Sequence, residues 1–175
     1  MKLDLIGSID ERLRVHSEPF DFQNPQMDAN ELFENLKETM IENNGVGLSA
    51  IQCGIPLRVF VMGSPTDPDN IAGVFNPKIV DSSKETTLEE EGCLTFPGLY
   101  VKVKRYDWIR VRYTTQEGVT DTIKFGGMTA RIFQHELDHC NGILYTTRAN
   151  RYHLEQAKKQ KAKLDKLRKK HRMVA

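Results

Sequence analysis

The stretch from residue 58 to residue 124 alternates short β-rich runs with turn residues, and this constrains the fold more than any other feature of the chain. Gly, Pro, Asp and Ser residues separate the runs, which cover 58–62, 74–80, 100–104, 108–113 and 120–124. Such runs are typical of strands joined by turns. Parallel strands need long crossover connections, usually helices, and no helical pattern interrupts this stretch. We therefore expect a mainly antiparallel sheet and not a βαβ array.

Helical patterns lie on both sides of this stretch. Apolar residues follow helical spacing over 28–44, where Asp28 is a candidate N-cap. The spacing returns over 129–141, where Gly142 follows as a candidate C-cap. A third, basic helix is expected over 151–172. The predicted fold is α+β, with mainly antiparallel β-sheets packed around the second of these helices, an N-terminal helix and a C-terminal basic helix.

Residues 134–139 read QHELDH and indicate a metal hydrolase. On a helix, side chains at i and i+4 share one face, so His135 and His139 can bind one ion while Glu136 lies beside it. Neutral imidazoles suit zinc, iron, nickel or cobalt. Such an ion lowers the pKa of a bound water so that hydroxide attacks a carbonyl, and Glu136 would carry the protons.

Two histidines leave such a site incomplete, because a catalytic zinc-type centre usually has three protein ligands and a water. The downstream candidates are His153, Glu155 and His171, in or beside a basic segment. Upstream, Cys93 stands in the turn-like segment EEEGCLTFPG, where a thiolate would complete a tetrahedral set. A buried cysteine that acts only as a small apolar residue is an equally good interpretation. Spacing alone therefore leaves the third ligand open.

The length, the cysteines and the N-terminus indicate the class of protein. A chain of 175 residues fits one domain. Cys53, Cys93 and Cys140 are an odd and sparse set, which favours reduced thiols over a disulfide framework. No apolar run is long enough to cross a bilayer, and charges interrupt the N-terminal apolar residues, unlike those of a secretory signal. We expect a cytoplasmic protein, and nothing in the sequence requires more than a monomer.

The net charge of +1 conceals two regions of opposite charge. Residues 151–175 hold ten Lys or Arg against Glu155 and Asp165, which gives +8 and leaves −7 on residues 1–150. A helix this basic attracts phosphates such as those of RNA, although a solvated helix that only aids solubility has the same composition. The basic tail (residues 151–175) and the body of the chain (residues 1–150) are therefore expected to have different partners.

Three segments in one order resemble a known family. GVGLSAIQ at 45–52, EGCLT at 91–95 and QHELDH at 134–139 resemble the three signature motifs of peptide deformylases. Three independent motifs at familiar intervals are far more specific than the helix motif alone. The resemblance implies a metal-dependent hydrolase that removes the N-formyl group from the formylmethionine of nascent polypeptides and releases formate. This is a step of N-terminal methionine processing during protein biosynthesis.

The resemblance also implies roles for the motif residues. It places the metal ligands at Cys93, His135 and His139. It implies one divalent ion per chain, iron(II) physiologically, with zinc, nickel or cobalt also accepted by the purified protein. Glu136 would take a proton from water and later pass one to the departing amine. The Gln52 amide and the Leu94 backbone N–H would stabilise the charge that develops on the formyl oxygen.

A peptide-binding site around this centre follows from the same resemblance. Gly45 and Gly47 would let an extended loop pass close to the peptide. Tyr100 stands where some bacterial members have an arginine that helps to hold the peptide. The pocket for the methionine side chain would use three apolar residues, each of them also an ordinary core candidate: Val46, Met128 and Ile132.

Residues next to the ligands have supporting roles by resemblance. Asp138 would orient an imidazole, unless it is a plain surface aspartate, and Glu91 with Arg105 would form an ion pair near the cysteine. The chain departs from the family pattern with Ser49 where alanine is common and with Cys140 where leucine is usual. Neither change removes a ligand or a donor, and a thiol beside His139 would add sensitivity to oxidation.

The C-terminal tail is the last region for which the resemblance suggests a partner. In similar bacterial deformylases a comparable helix docks on the ribosome near the peptide exit. We expect residues 1–150 to form the catalytic domain and 151–175 a basic helical extension of it that contacts ribosomal RNA or protein. The expected contacts are Lys158, Lys159, Lys161, Lys163, Lys166, Arg168, Lys169 and Lys170.

Two rival interpretations compete with a deformylase. One is a zinc endopeptidase whose third ligand lies downstream of the helix motif. The other is an RNA-binding module whose metal is structural and therefore closed by a fourth protein ligand.

Overall fold

The structure is a computed structural model that describes residues 2–172, with the side chains of 170–172 outside the description. Within this range the helices are α1 (Ala29–Glu42), α2 (Gly127–Cys140), α3 (Tyr145–Arg148) and α4 (Arg151–Arg172). The strands are β1 (Gly47–Ser49), β2 (Val59–Met62), β3 (Ala72–Ser82), β4 (Thr86–Cys93), β5 (Phe96–Tyr106), β6 (Trp108–Thr114) and β7 (Thr120–Gly126).

The strands form two antiparallel sheets. One has five strands in the order β1-β2-β3-β6-β7, and the other is the hairpin β4-β5. The neighbouring strands of both sheets pair in antiparallel register. The predicted α+β class is therefore confirmed, with helices packed on antiparallel sheets.

Helix α2 packs against the five-stranded sheet through its apolar face. Ile109 and Val111 of β6 are fully buried and alternate with exposed arginines, as expected for a sheet with one solvated face. Phe133 of α2 lies on this buried face, and its ring is 5.1 Å from the ring of Phe60. Gly142 follows the helix with φ +70°, which matches its prediction as the C-terminal stop. This packing fixes the helix that bears the QHELDH motif.

Helix α1 begins as predicted, because the Asp28 carboxylate accepts a hydrogen bond from the Glu31 N–H at 2.8 Å. Its buried residues include Leu36 and Met40, which pack with Leu48 of β1 in a separate core cluster. Helix α1 therefore packs against β1 and β2 at one edge of the five-stranded sheet. This holds the glycine-containing segment next to α2.

Helix α4 covers the edge of the hairpin and is not a free extension. Ala157 is buried among Leu99, Val101 and Tyr145, and Leu154 packs against the same cluster. Beyond this contact the helix is mostly exposed. In the described part of the chain, no helix combines the length and the apolar content that a membrane span needs.

Besides short 3-10 helices, the described residues form three α-helical or strand elements that were not predicted from the sequence. They are β1, β4 and the single turn of α3. Strand β4 reads TTLEEEGC, in which the acidic residues hide the alternation that marks a strand. The hairpin that presents Cys93 was therefore only half predicted.

Candidate active site

Helix α2 and the end of β4 bring Cys93, His135 and His139 together. His135 and His139 lie one helical turn apart on the buried face of α2, and their ring centroids are 5.0 Å apart. Cys93 is the last residue of β4, and its Sγ lies 3.3 Å from His139 Nε2. The potential ligand atoms of all three residues lie within 4.8 Å of one another. The cluster is buried at the base of a cavity.

The donor set of this cluster fits a divalent metal ion. Ligands of one tetrahedral ion lie roughly 3.5 Å from each other, which is compatible with these spacings. One thiolate and two imidazoles are borderline-soft donors that suit zinc, iron(II), nickel or cobalt. His139 Nδ1 is buried without a hydrogen-bond partner, so in the structure its imidazole interacts only through Nε2, on the cluster side.

Glu91 orients the imidazole of His135. Its Oε2 lies 3.0 Å from His135 Nδ1, which leaves Nε2 for the cluster. The predicted pair with Arg105 forms through two hydrogen bonds of 2.8 and 2.9 Å. The expectation that Asp138 orients an imidazole is corrected, because its oxygens bind Arg105 and Arg148 instead. Asp138 therefore reaches His135 only indirectly, through Arg105 and Glu91.

The charges of this network shift the pKa values of the groups at the cluster. Burial alone would raise the pKa of Glu91, but hydrogen bonds from Arg105 and His135 outweigh it and lower the pKa to about 2. Burial opposes a charge on His135, but interactions with Cys93 and Glu91 raise its pKa to about 10. Burial and the charge on His135 lower the pKa of His139 well below its usual value. Because metal binding needs neutral imidazoles, an ion and a proton compete for His135.

Glu136 lies between α2 and β1, with its carboxylate held by β1. Ser49 Oγ donates a hydrogen bond of 2.8 Å to Glu136 Oε2. A Cβ atom added to Gly47 would lie 2.5 Å from Glu136 Oε1, so the missing side chain makes room for this carboxylate. Burial raises the pKa of Glu136, and the charge on His135 and the Ser49 hydrogen bond oppose that rise. Sequence reasoning had treated Ser49 as a small and neutral change.

The side chain of Gln52 lies next to Cys93 and Thr95. Its Oε1 accepts a hydrogen bond of 2.9 Å from the Ser49 N–H, which fixes the amide. Its Nε2 then lies 3.0 Å from Thr95 Oγ1 and 3.4 Å from Cys93 Sγ. Leu94 follows Cys93 in the two-residue turn between β4 and β5, and its side chain touches Gly45. Both expected oxyanion donors are thus next to Cys93.

A cavity of about 620 Å³ opens over this cluster. The residues expected to bind the peptide all line it: Gly45, Val46, Gly47, Tyr100, Met128 and Ile132. Tyr100 and Met128 are more than half exposed at its rim, whereas Ile132 lies deeper. The cavity is therefore continuous from the surface to Cys93, His135 and Glu136.

Sequence reasoning missed Arg131, which lines the same cavity. Its guanidinium is buried and donates to Glu91 Oε1 at 2.8 Å and to the carbonyl oxygens of Thr87 and Val103 at 3.0 Å. Arg131 precedes His135 by one helical turn, so helix geometry alone would have placed it on the face of the cluster.

The other two cysteines do not belong to the metal-ligand group. Cys140 is fully buried, and burial raises the pKa of its thiol to about 12. The expectation that it adds sensitivity to oxidation is therefore corrected, because a thiol that is protonated and shielded from solvent reacts slowly. Burial likewise raises the pKa of Cys53 to about 12.

Two of the downstream ligand candidates, His153 and Glu155, lie on α4 and outside the cluster. In the described range, the one group of His, Cys, Asp or Glu residues with metal-ligand spacing contains Cys93, His135 and His139, and neither His153 nor Glu155. The side chains of His171 and Lys170 lie outside the described residues. Among the tail cations, Lys158 pairs with Glu155 at 3.4 Å and Lys161 with Asp165 at 2.6 Å.

The chain is similar to known proteins over most of its length. The model of a family described as polypeptide deformylase matches residues 4–155. A peptide deformylase of Thermotoga neapolitana is 44% identical over 115 residues, which are 66% of this chain and 68% of that protein.

Solved structures show the same similarity in three dimensions. A peptide deformylase from Legionella pneumophila matches with a TM-score of 0.84 and 30% identity, over 96% of this chain and 98% of that one. A Met-Ala-Ser-bound peptide deformylase from Acinetobacter baumannii matches with a TM-score of 0.78 and 34% identity, over 85% of this chain and 98% of that one.

Proposed function

Because this chain belongs to the polypeptide deformylase family, we propose a role in that family's reaction for each residue of the cluster. The enzyme is a metal-dependent hydrolase that removes the N-formyl group from peptides beginning with formylmethionine. The main support for these proposed roles is one observation. The ligand atoms of Cys93, His135 and His139 lie within 4.8 Å of one another, next to a cavity that Glu136 lines.

Cys93, His135 and His139 are the proposed ligands of one divalent ion, iron(II) in the cell. The mixed sulfur and nitrogen donor set supports this choice, and it also accepts zinc, nickel or cobalt. When bound, the ion supplies Lewis acidity, which lowers the pKa of a water and polarises the formyl carbonyl. Glu91 holds His135 in the orientation that this coordination needs.

Glu136 is the proposed proton carrier. It accepts a proton from the attacking water and returns one to the departing amine. Two observations support this role: the carboxylate is buried in the wall of the cavity, and its pKa is raised above the usual value. A carboxyl group with a raised pKa accepts and releases protons closer to neutral pH.

Gln52 and Leu94 are the proposed donors to the formyl oxygen. Charge develops on this oxygen as water attacks, and donors that are already oriented stabilise it without reorganisation. The hydrogen bond from the Ser49 N–H to Gln52 Oε1 supports this assignment, because it turns Nε2 toward Cys93.

The substrate is proposed to lie along the cavity with its methionine against Val46, Met128 and Ile132. A volume of about 620 Å³ is enough for this side chain and the next residues. The Gly45–Gly47 segment would face the peptide backbone, and Tyr100 would contact residues that follow the methionine. The tripeptide Met-Ala-Ser in the similar Acinetobacter baumannii enzyme supports this choice.

The basic tail is proposed to bring the enzyme to its nascent substrates. Residues 1–150 would be the catalytic domain, and 151–175 an extension whose exposed cations contact the ribosome near the peptide exit. The charge of +8 on this segment supports the proposal. A monomer acting co-translationally in the cytoplasm is consistent with these roles.

Formate release by anaerobically purified protein, measured together with its metal content, tests the roles. We expect about one ion per chain and formate from formyl-Met-Ala-Ser, with both lost after treatment with a chelator and both restored by iron(II). Cleavage of the peptide bonds without formate would instead indicate an endopeptidase. Activity that survives complete metal removal would overturn the proposed metal site.

A further inference from the structure

Ser49 makes a contact that the proposed reaction does not yet explain. It is fully buried at the end of β1, and its hydroxyl donates to Glu136 Oε2 at 2.8 Å. The same hydroxyl lies 3.1 Å from the backbone oxygen of Glu136. The contact therefore joins β1 directly to the proton carrier on α2.

Gly47 faces the other oxygen of the same carboxylate. Residues two apart in a strand point to one face, so Gly47 and Ser49 both face Glu136. A Cβ atom at Gly47 would lie 2.5 Å from Glu136 Oε1. Strand β1 thus offers a space to one carboxylate oxygen and a hydrogen-bond donor to the other.

We infer that Ser49 is a positioning residue that fixes the rotation of the Glu136 carboxylate for proton transfer. The terminal torsion of a glutamate is broad and roughly two-fold, so steric packing alone leaves the carboxylate free to turn. A short hydrogen bond from a buried hydroxyl to a carboxylate is among the stronger restraints available. Proton transfer needs donor and acceptor within about 2.6–3.2 Å, so this rotation decides how often Glu136 is ready to react.

The backbone and the hydroxyl of Ser49 make different contacts. The backbone N–H of Ser49 donates to Gln52 Oε1 at 2.9 Å, and any residue at this position keeps that bond. A Ser49→Ala variant keeps this bond but removes the hydroxyl from Glu136, from the capping box with the Gln52 backbone and from the Cys140 thiol, so the effect through Glu136 has to be isolated by a double-mutant cycle. Alanine is common at this position of the family motif by the resemblance, so the hydroxyl is not a required part of the motif.

The first test compares the kinetics of Ser49→Ala with those of the native enzyme on formyl-Met-Ala-Ser. We expect kcat to fall about tenfold, less than the roughly hundredfold loss that follows a 1 Å misplacement of a reacting group. KM and metal content should stay unchanged, because the ligands and the pocket are untouched, whereas the thermal midpoint should fall by a few degrees with the lost buried hydrogen bond. An unchanged kcat would overturn the inference.

A double-mutant cycle with Glu136→Gln separates positioning from a structural role. If Ser49 acts through the Glu136 carboxylate, Ser49→Ala should have no further effect on the residual kcat of Glu136→Gln. An equal tenfold loss in both backgrounds would mean that Ser49 only supports the fold.

The pair Ser49→Thr and Ser49→Val gives a second test, since these side chains have the same shape and differ in the hydroxyl. The threonine variant should be about tenfold faster, and equal rates would contradict the inference.

The inference rests on the proposed role of Glu136, and the cycle distinguishes the two failures. A normal kcat in Glu136→Gln would refute Glu136 as proton carrier, and Ser49 would lose its role with it. A large loss in Glu136→Gln together with a normal Ser49→Ala enzyme would refute the role of Ser49 alone.

Discussion

His135 Nδ1 lies 3.0 Å from Glu91 Oε2, and this contact ties a candidate metal ligand to a buried ion cluster. Arg105 donates two hydrogen bonds to Glu91, and Arg131 donates a third. Asp138 then joins Arg105 to the half-exposed Arg148 on α3. The orientation of the His135 imidazole is therefore set by residues from β4, β5, α2 and α3 together.

The first prediction concerns the stability of this ion cluster in Glu91→Gln. The substitution removes the buried carboxylate that Arg105 and Arg131 share and leaves them only Asp138 and the half-exposed Glu89, so the free energy of unfolding at pH 7 should fall by about 3 kcal/mol. The pKa of Glu91 is lowered to about 2 from a value of 4.5. Its contribution is therefore fully present above about pH 4.5 and is lost as the pH falls toward 2.

Urea denaturation at a series of pH values, with chelator present, measures this difference. The difference in the free energy of unfolding between the native protein and Glu91→Gln should become smaller as the pH falls from 4.5 to 2. Glu89→Gln is the matched control, because Glu89 is half exposed and its pair with Arg131 at 3.3 Å should contribute less than about 1 kcal/mol. A difference that stays constant down to pH 2 would contradict the assignment of the low pKa to Glu91.

The second prediction concerns metal retention. Cys93→Ala should lose the ion and the formate-releasing activity together, because two imidazoles alone hold a divalent ion weakly. Cys53→Ala is the control, since Cys53 is a half-buried thiol outside the cluster. Elemental analysis of both purified variants checks the outcome. Full metal content with normal turnover in Cys93→Ala would remove this residue from the site.

The sequence predicted the longer elements whose buried faces are apolar and missed the short β1 and α3 together with β4, whose buried face is not apolar. Strand β6 alternates exposed arginines with buried Ile109 and Val111, and this alternation of charged and apolar residues predicted a strand. Strand β4 was missed because its inward residue is Glu91, whose charge is neutralised by arginines distant in sequence. A buried ion pair leaves no periodic apolar signal, and only the fold brings its partners together.

The same distinction holds for the site. His135 and His139 could be predicted from their helical spacing and Cys93 from the family resemblance, and the structure brings these three together. The contacts of Ser49 and Arg131 could not be predicted, since a serine or an arginine has many ordinary uses in a chain, although helix spacing places Arg131 on the same face as His135. Their contacts with Glu136 and Glu91 depend on how β1 and β4 pack against α2.

The third prediction concerns proton transfer by Glu136. Glu136→Gln keeps the shape of the side chain but cannot accept a proton, so kcat should fall by a factor of about 100 to 10,000. Metal content and KM should change little, because the ligands and the cavity remain. Steady-state kinetics on formyl-Met-Ala-Ser checks this split. Glu34→Gln, on the exposed face of α1, serves as the control, and a near-normal kcat in Glu136→Gln would refute the role.

The fourth prediction concerns the basic helix and is tested without deleting it. Removing residues 151–175 would uncover Leu99 and Tyr145, because Leu154 and Ala157 pack on them, so a truncated chain would confuse lost binding with lost stability. A better variant changes four exposed tail cations to glutamine and leaves the helix in place. These cations are Lys159, Lys163, Lys166 and Lys169.

Co-sedimentation with ribosomes over a range of salt concentrations measures the effect. Each lost phosphate contact should reduce the slope of log K against log salt by about 0.7–0.9, so four contacts should reduce it by roughly 3. Turnover of formyl-Met-Ala-Ser should not change, because these lysines lie outside the cavity that holds the cluster. The matched control changes four exposed cations of the body to glutamine, namely Lys78, Lys84, Arg110 and Arg112. If both variants lose affinity equally, the binding is a general effect of charge, and the tail has no special role in docking.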